Sequence, residues 1–338
     1  MESDAILLSS RPVPHSDLNP TSLNDFQQGA AEPRLVIINP AAGGGRARHA
    51  ADGILQALTI RLGAGFGVRM TARQFDAWKF AADAVKCGMR RIIVVGGDGT
   101  LQEVVNGLLS AGTGARTCSV GLLSCGTGCG FAQSIGLPRN PLKQIDVACF
   151  GEAKSFDAGF LEYADPVGRK RTRWFVNECQ IGLGAEVCRT VRRGHKSLGG
   201  RMAFGLGALQ SVMTHSNEKM RIRFDERESV DGKFTGIVAG NGACTGGGMN
   251  LVPGARPDDG LLRVLLMGDL SRAERLRSFP KIYSGRHVHA PGFRTMDTTY
   301  MRIDTEEPSL VAADGELLGT TPASVRVSPR AFSVVCPI

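Results

Sequence analysis

Residues 92–108 read Ile92-Ile93-Val94-Val95-Gly96-Gly97-Asp98-Gly99-Thr100-Leu101-Gln102-Glu103-Val104-Val105-Asn106-Gly107-Leu108. A short β-branched run breaks on glycines, and the apolar spacing that follows suits an amphipathic helix, so the stretch predicts strand, glycine turn, helix. The same order stands upstream, where Leu35-Val36-Ile37-Ile38 meets Asn39-Pro40-Ala41-Ala42-Gly43-Gly44-Gly45 and a helix-compatible stretch runs to about Arg61. It stands downstream too, where Ser119-Val120-Gly121-Leu122-Leu123 runs into Ser124-Cys125-Gly126-Thr127-Gly128-Cys129-Gly130 and a short helix from Phe131 to Ile135. Three strand-to-helix crossings predict a parallel α/β sheet.

On either side of these units the texture differs. Residues 1–33 mix Ser, Pro, Asn and Gln without a period and read as a mobile tail. Beyond about Ser155 come short alternating or β-branched runs, such as Trp174-Phe175-Val176, Gly236-Ile237-Val238-Ala239 and Leu261 to Leu266, which predict a mainly antiparallel β domain. Helices are expected over 198–214 and 271–283, and the run 323–336 is again strand-like. The expected domains are therefore 34–155, completed by 324–338, and 156–323.

Turns at the carboxyl ends of neighbouring parallel strands face one crevice, where helix N-termini aim backbone N–H groups at an anion. Glycines at 43, 44, 45, 96, 97 and 99 let the backbone approach phosphate oxygens and adopt positive φ where a nest of amides requires it. A triphosphate is the natural occupant. The sequence has no GxxxxGK[ST], and no GxGxxG followed by an acidic residue about 20 positions on, which disfavours Walker-type ATPases and dinucleotide-dependent dehydrogenases. Asp98 stands out, because a carboxylate beside phosphates needs a divalent cation or a substrate hydroxyl between them. Its plain structural role would be to cap the helix that follows.

Composition sets the bounds. Of 338 residues 42% are hydrophobic and 21% charged, ordinary for a folded protein, while 40 Lys and Arg against 32 Asp and Glu leave +8 and favour an anionic partner. Only 6% are aromatic and no basic-aromatic motif occurs, so nucleic acid is not expected. The nine cysteines are odd in number and form no CxxC pair, which reads as reduced thiols in a cytoplasmic protein. No run is long and apolar enough to span a bilayer.

The Gly96-Gly97-Asp98-Gly99-Thr100 string, with Leu101 to Leu108 behind it, resembles the signature of the diacylglycerol kinase catalytic family, which includes sphingosine, ceramide and bacterial lipid kinases. Asn39-Pro40, Thr71, Gly126-Thr127, Asn177, Gly240-Asn241-Gly242, Asp258-Asp259-Gly260-Leu261 and Asp314-Gly315-Glu316 fall in the family's order. The resemblance implies an ATP-dependent, Mg²⁺-dependent lipid kinase acting at the cytoplasmic face of an anionic membrane, with a β-sandwich second domain. ATP would be held by Asn39, Gly43, Gly44, Gly45, Arg46, Thr71, Gly96, Gly97, Asp98, Gly99, Thr100, Leu101, Gln102 and Thr127. Asp259, with backbone carbonyls of Arg256 and Leu261, would hold magnesium. Glu316 would be the catalytic acidic residue, and Asp98 would share catalysis or bind metal through water. Phosphoryl transfer depends mainly on in-line placement and charge neutralisation, so Glu316, a weak base by its ordinary pKa near 4.3, would accept the proton late. Where many bacterial relatives carry Asn-Asp this chain has Cys129-Gly130. The residues leave two alternatives open, an NAD kinase-like small-molecule kinase and a catalytically silent nucleotide- or lipid-binding regulator; a homodimer is also admitted.

Overall fold

The computed structural model describes residues 33–63, 65–112, 117–126, 128–193, 200–225, 229–245 and 248–338. The expected tail, apart from Pro33, and Thr127 lie outside them. The N-terminal half runs β1 (Arg34–Ile38), α1 (Arg46–Leu62), β2 (Phe66–Met70), α2 (Asp76–Lys86), β3 (Arg91–Gly96), α3 (Asp98–Ser110), β4 (Ser119–Ser124), α4 (Gly130–Ser134) and α5 (Pro141–Phe150). Besides the three units read from the glycine turns there is a fourth, β2–α2. The strands are parallel in the order β4-β3-β1-β2. Both faces are covered, which is why the inner strands β1 and β3 are apolar through their buried residues rather than alternating, while the edge strand β2 carries Arg69. Leu35, Ile37, Ile92 and Val94 pack under α2 and α3, and Val36, Ile38, Ile93 and Val95 under α1 and α5. Leu101, Val104, Val105 and Leu108 of α3 are fully buried; each such side chain stabilises the fold by roughly 1.5–3 kcal/mol relative to exposure. Gly107 lets α2 come close, since a Cβ there would lie 2.3 Å from the Trp78 carbonyl oxygen.

The second half runs β5 (Glu152–Ala164), β6 (Lys170–Phe175), β7 (Glu178–Gly182), α6 (Leu183–Arg193), α7 (Gly200–Thr214), β8 (Glu218–Phe224), β9 (Val230–Phe234), β10 (Gly236–Gly240), β11 (Cys244–Thr245), β12 (Met249–Asn250), β13 (Leu262–Met267), α8 (Arg272–Ser278), β14 (Phe293–Thr298), β15 (Tyr300–Thr305), β16 (Leu310–Ala313) and β17 (Glu316–Cys336). It is an antiparallel, β-sandwich-like body around Leu161, Phe175, Ile181, Ile222, Phe224 and Ile303. Alternation is plain in β8, where Met220, Ile222 and Phe224 point inward while Lys219, Arg221 and Arg223 point out and pair with Glu306, Asp231 and Asp304. α6 was not expected from the sequence.

β17 joins the halves. It pairs antiparallel with β16, β15 and β5, and its last residues pair parallel with β4 through Ser333–Ser119 and Val334–Val120. Parallel and antiparallel parts are thus one continuous sheet. No helix among the described residues is long and apolar enough to cross a membrane.

Candidate active site

The parallel strands end on one edge. Backbone N–H groups of Asn39, Thr71 and Cys125 donate to the carbonyls of Val95, Ile38 and Gly96 at 2.9, 2.9 and 2.8 Å, so the chain leaves each strand in register and the turns meet in one crevice. In the first turn Gly43, Gly44 and Gly45 take φ of +63°, +69° and +94°, the left-handed region that glycine enters at little cost. The second turn departs from expectation, since none of Gly96, Gly97 and Gly99 has positive φ. Gly96 and Gly97 are needed for space instead: a Cβ on Gly96 would lie 2.6 Å from the Thr100 side chain, and one on Gly97 3.1 Å from the Gly126 Cα. Asn39 Nδ2 donates to Thr100 Oγ1 at 2.9 Å, tying first turn to second. Arg46 ties first to third, donating to the carbonyls of Gly43, Cys125 and Gly126 at 3.1, 3.3 and 3.2 Å. Two expected nucleotide contacts face elsewhere. Leu101 and Gln102 are fully buried, Leu101 in the core under α3 and Gln102 bonded to Arg173 and the Trp174 carbonyl.

Asp98 does not cap α3, whose N-cap Gly97 has no side-chain bond. Its carboxylate reaches across the crevice and accepts from the backbone N–H groups of Gly130 and Phe131 at 2.9 and 3.2 Å, capping α4. The Gly130 half of the Cys129-Gly130 departure has a steric reason here. A Cβ on residue 130 would lie 2.4 Å from the Cys244 carbonyl oxygen, so β11 occupies the space a side chain would need.

Two cavities flank these turns. One, of about 320 Å³, is polar and lined by Asn39, Thr71, Arg73, Gln74, Glu103 and Glu316, among others. The other, of about 180 Å³, is walled by apolar side chains from α6, α7, β10, the end of β12 and the turn after α8, including Val187, Val212, Val238, Leu251, Phe279 and Ile282, and headed by Asp98, Asn177, Glu178 and Asp314. Two turns form the partition. From the second glycine turn Asp98 faces the apolar cavity and Thr100 the polar one; from the β16–β17 turn Asp314 and Glu316 divide the same way.

Glu316 is held on the polar side. Its Oε1 accepts from Gln74 Nε2 at 3.1 Å and its Oε2 from Arg173. Arg173 is 7% exposed and lies over the rings of Trp78 and Phe75, 5.0 and 5.3 Å from their centroids. Asn106 fixes β6, which carries Arg173: its Nδ2 donates to the Trp174 carbonyl at 2.9 Å and its Oδ1 accepts from the Trp174 N–H at 3.0 Å. Arg173 is thus buried while its basic neighbours Arg169, Lys170 and Arg171 are exposed, Lys170 and Arg171 pairing with Glu162 and Asp165. Glu103, three residues beyond Thr100 on α3, joins Glu316 in the polar cavity. Burial raises its carboxyl above the usual range, the N–H groups of Phe75, Ala77 and Trp78 oppose this, and the charge of Glu316 adds to the rise.

On the apolar side burial is the first cause of two raised carboxyls. Asp314, with φ +47°, accepts from the N–H groups of Val176, Asn177 and Glu178 at 2.8, 2.8 and 3.1 Å, yet is pushed up to about 7. Glu178 is 2% exposed and is pushed well above its ordinary value by burial and then by Asp314. A carboxyl raised on folding binds its proton more tightly in the native state, so its contribution to stability falls as pH rises through the raised value. Unfolding free energy is expected to increase by about 1 kcal/mol between about pH 8 and about pH 6.5. Denaturant melts across that window check it. The buried imidazoles of His215 and His287, both lowered chiefly by burial, act in the opposite sense as pH falls toward the ordinary imidazole value of about 6.5 and take back part of the gain at the acid end of this window.

Asp259 lies on a loop apart from the glycine turns. Its Oδ1 accepts from the Leu261 N–H at 3.0 Å, and Arg256 Nε donates to Asp258 at 3.3 Å. Asp157 of β5 anchors the loop, accepting from the Gly260 N–H at 2.6 Å and donating its own N–H to the Pro257 carbonyl at 2.7 Å. Burial raises the Asp259 carboxyl and the charges of Asp157 and Asp258 add to it, while the Leu261 N–H and the Arg256 guanidinium oppose the rise. Among the described residues no three His, Cys, Asp or Glu side chains converge as a metal cage. One carboxylate with main-chain carbonyls is nonetheless a donor set that suits a hydrated magnesium ion.

The chain matches two family models: "Diacylglycerol kinase catalytic domain" over residues 33–161 and "YegS C-terminal NAD kinase beta sandwich-like domain" over residues 177–336. It is 32% identical over 240 residues to "Probable lipid kinase YegS-like" of Xanthomonas euvesicatoria pv. vesicatoria, covering 70% of this chain and 73% of that one. It is 29% identical over 307 residues to "Diacylglycerol kinase" of Mycobacterium tuberculosis, covering 89% and 94%. A crystal structure described as a diacylglycerol kinase from Bacillus anthracis str. Sterne shares the fold, with a TM-score of 0.67 at 19% identity over 90% of this chain and 96% of that one.

Proposed function

We propose, because the chain belongs to the diacylglycerol kinase family of lipid kinases, that it transfers the γ-phosphate of Mg-ATP to a hydroxyl of a lipid whose tail enters the apolar cavity. The observation that carries this reading is the partition. A polar cavity beside three glycine turns and an apolar cavity with an acidic head share one wall, so a triphosphate on one side and an alcohol on the other would meet at Asp98. The lipid oxygen attacks the γ-phosphorus, the bond to the β-phosphate oxygen breaks, ADP leaves, and Asp98 takes the hydroxyl proton as transfer completes. Glu316 stands on the nucleotide side, which supports a role in holding ATP rather than in accepting that proton. Asp259, with the carbonyls of Arg256 and Leu261, would hold a magnesium ion that orders its loop, and magnesium bound with ATP supplies charge neutralisation at the phosphates.

The rim of the apolar cavity supports an approach to a membrane surface. Ala208 and Val212 of α7 line the cavity, while their neighbours Leu209 and Met213 are 43% and 40% exposed, so one helix presents apolar groups both inward and outward. An apolar-walled acceptor site favours a lipid over NAD. Transfer of labelled γ-phosphate from Mg-ATP in mixed micelles, with diacylglycerol, a sphingoid base, ceramide, phosphatidylglycerol and NAD as acceptors, tests the reading. A labelled lipid is expected. Labelled NADP, or no product despite saturable ATP binding, would overturn it.

A further inference from the structure

Resting on that reading for what the apolar cavity holds, we infer a second site beside it: a pocket for the phosphate-monoester headgroup of a membrane lipid, formed by Lys281, Arg286 and His289. The positive charge of the chain is unevenly spread. Residues 271–294 carry Arg272, Arg275, Arg277, Lys281, Arg286 and Arg294 against Glu274 alone, a net +5 of the chain's +8. Arg275 is buried and donates to the His215 carbonyl; the other five are exposed. Within this stretch the 3₁₀ turns Phe279–Ile282 and Arg286–His289 border a cavity of about 470 Å³, lined by Pro280, Lys281, Ser284, Arg286, His289 and Pro291, among others. Three of its side chains are basic and none is acidic, and among the described residues no carboxylate pairs with those three. What lies beneath fixes their spacing. His287 is fully buried, its Nε2 donating to the Leu251 carbonyl at 3.0 Å and its ring meeting Phe293 edge-on at 5.7 Å. Gly285, at φ +71°, packs so closely that a Cβ would lie 2.8 Å from Pro253 Cγ. The first 3₁₀ turn serves both spaces, with Phe279 and Ile282 in the wall of the apolar cavity and Pro280 and Lys281 in the basic one. Tyr283, next along, is 50% exposed, and α8 packs against α7, which presents Leu209 and Met213 to the outside. Cations interleaved with exposed apolar groups fit a bilayer surface better than a free phosphate. A monoester suits three basic groups better than a diester, because it carries about two negative charges and three acceptor oxygens. It is also the group that the proposed transfer installs, so the pocket holds the molecule to a surface that its own reaction has altered.

The test is vesicle binding by the full chain without ATP, on phosphatidylcholine vesicles carrying phosphatidate or, at matched surface potential, phosphatidylglycerol. Phosphatidate vesicles are expected to be bound about tenfold more tightly, and the double variant Lys281→Gln/Arg286→Gln, both of whose positions are exposed, is expected to lose that preference. Equal binding of the two vesicles by the wild type overturns the site, since surface charge alone would then suffice; so does a double variant that keeps the preference. Calorimetric titration with glycerol 3-phosphate identifies the source of the phosphate, and an affinity equal to that for the vesicles overturns the assignment to a bilayer lipid. Nothing is phosphorylated in these measurements, which separates them from the kinase reading. A preference for phosphatidate that the double variant loses supports the site even if no lipid is phosphorylated, and its absence overturns the site even if one is.

Discussion

Asp98→Asn is expected to lower kcat for phosphate transfer by about 10³-fold while ATP binding stays measurable. Asp98 lies where the two cavities meet, and it is the carboxylate of the second glycine turn that faces the acceptor side. Its amide cannot take the hydroxyl proton. The substitution also disturbs a cap. Both carboxylate oxygens accept buried N–H groups at the start of α4, and an asparagine can satisfy only one of them while turning an NH₂ toward the other. Stability is expected to fall by about 1–3 kcal/mol. Activity measured well below the lowered melting temperature separates the two effects. Turnover within tenfold of the wild type would remove Asp98 from the chemistry and leave it a capping residue.

Glu316→Ala is expected to act on the nucleotide, raising KM for ATP and lowering kcat/KM by about 10²-fold, with a smaller fall in kcat. Glu316 shares its cavity with Asn39 and Thr71, not with the apolar walls. A loss of kcat at unchanged KM for ATP would mean that it acts on the reacting phosphate, and the roles assigned to Glu316 and Asp98 would have to be exchanged. The same substitution strips a buried guanidinium of its carboxylate, which costs about 3–5 kcal/mol in stability. Replacing Arg173 by Leu in the Glu316→Ala background is expected to recover part of that loss, since no unpaired charge then remains under Trp78 and Phe75.

The glycine turns were readable because their signal is local: a β-branched run, glycines and a helical period lie within a few residues of one another. Other helices left weaker marks. α5 opens on Asn140, whose Oδ1 accepts from Leu142 and Lys143 N–H groups, with Pro141 at its first position, a start signal that could have been used. α6 gave less, because only its cavity-facing side is apolar and Gly184 falls in its first turn. The division of labour within Asp314-Gly315-Glu316 could not be read at all. Adjacent acidic residues look alike in sequence, and only the positive φ at Asp314 and Gly315 sends their side chains into different cavities. Arg173 was hidden for a similar reason. It sits in a run of basic residues, and its burial depends on α2, far away in the chain. The glycines of the second turn show the limit from another side, since sequence asks for glycine without saying whether dihedral freedom or missing volume is the need.

β17 has a bearing on how the molecule comes into being. β4 is synthesised long before the residues that flank it on its outer side, because Ser333 and Val334 supply that neighbour. During translation the early sheet therefore waits with an open edge, a surface on which another nascent chain could add a strand, and its closure belongs to the last stage of assembly. A polypeptide interrupted before residue 333 would already carry all three glycine turns and still lack the strand that seals the sheet from which they rise.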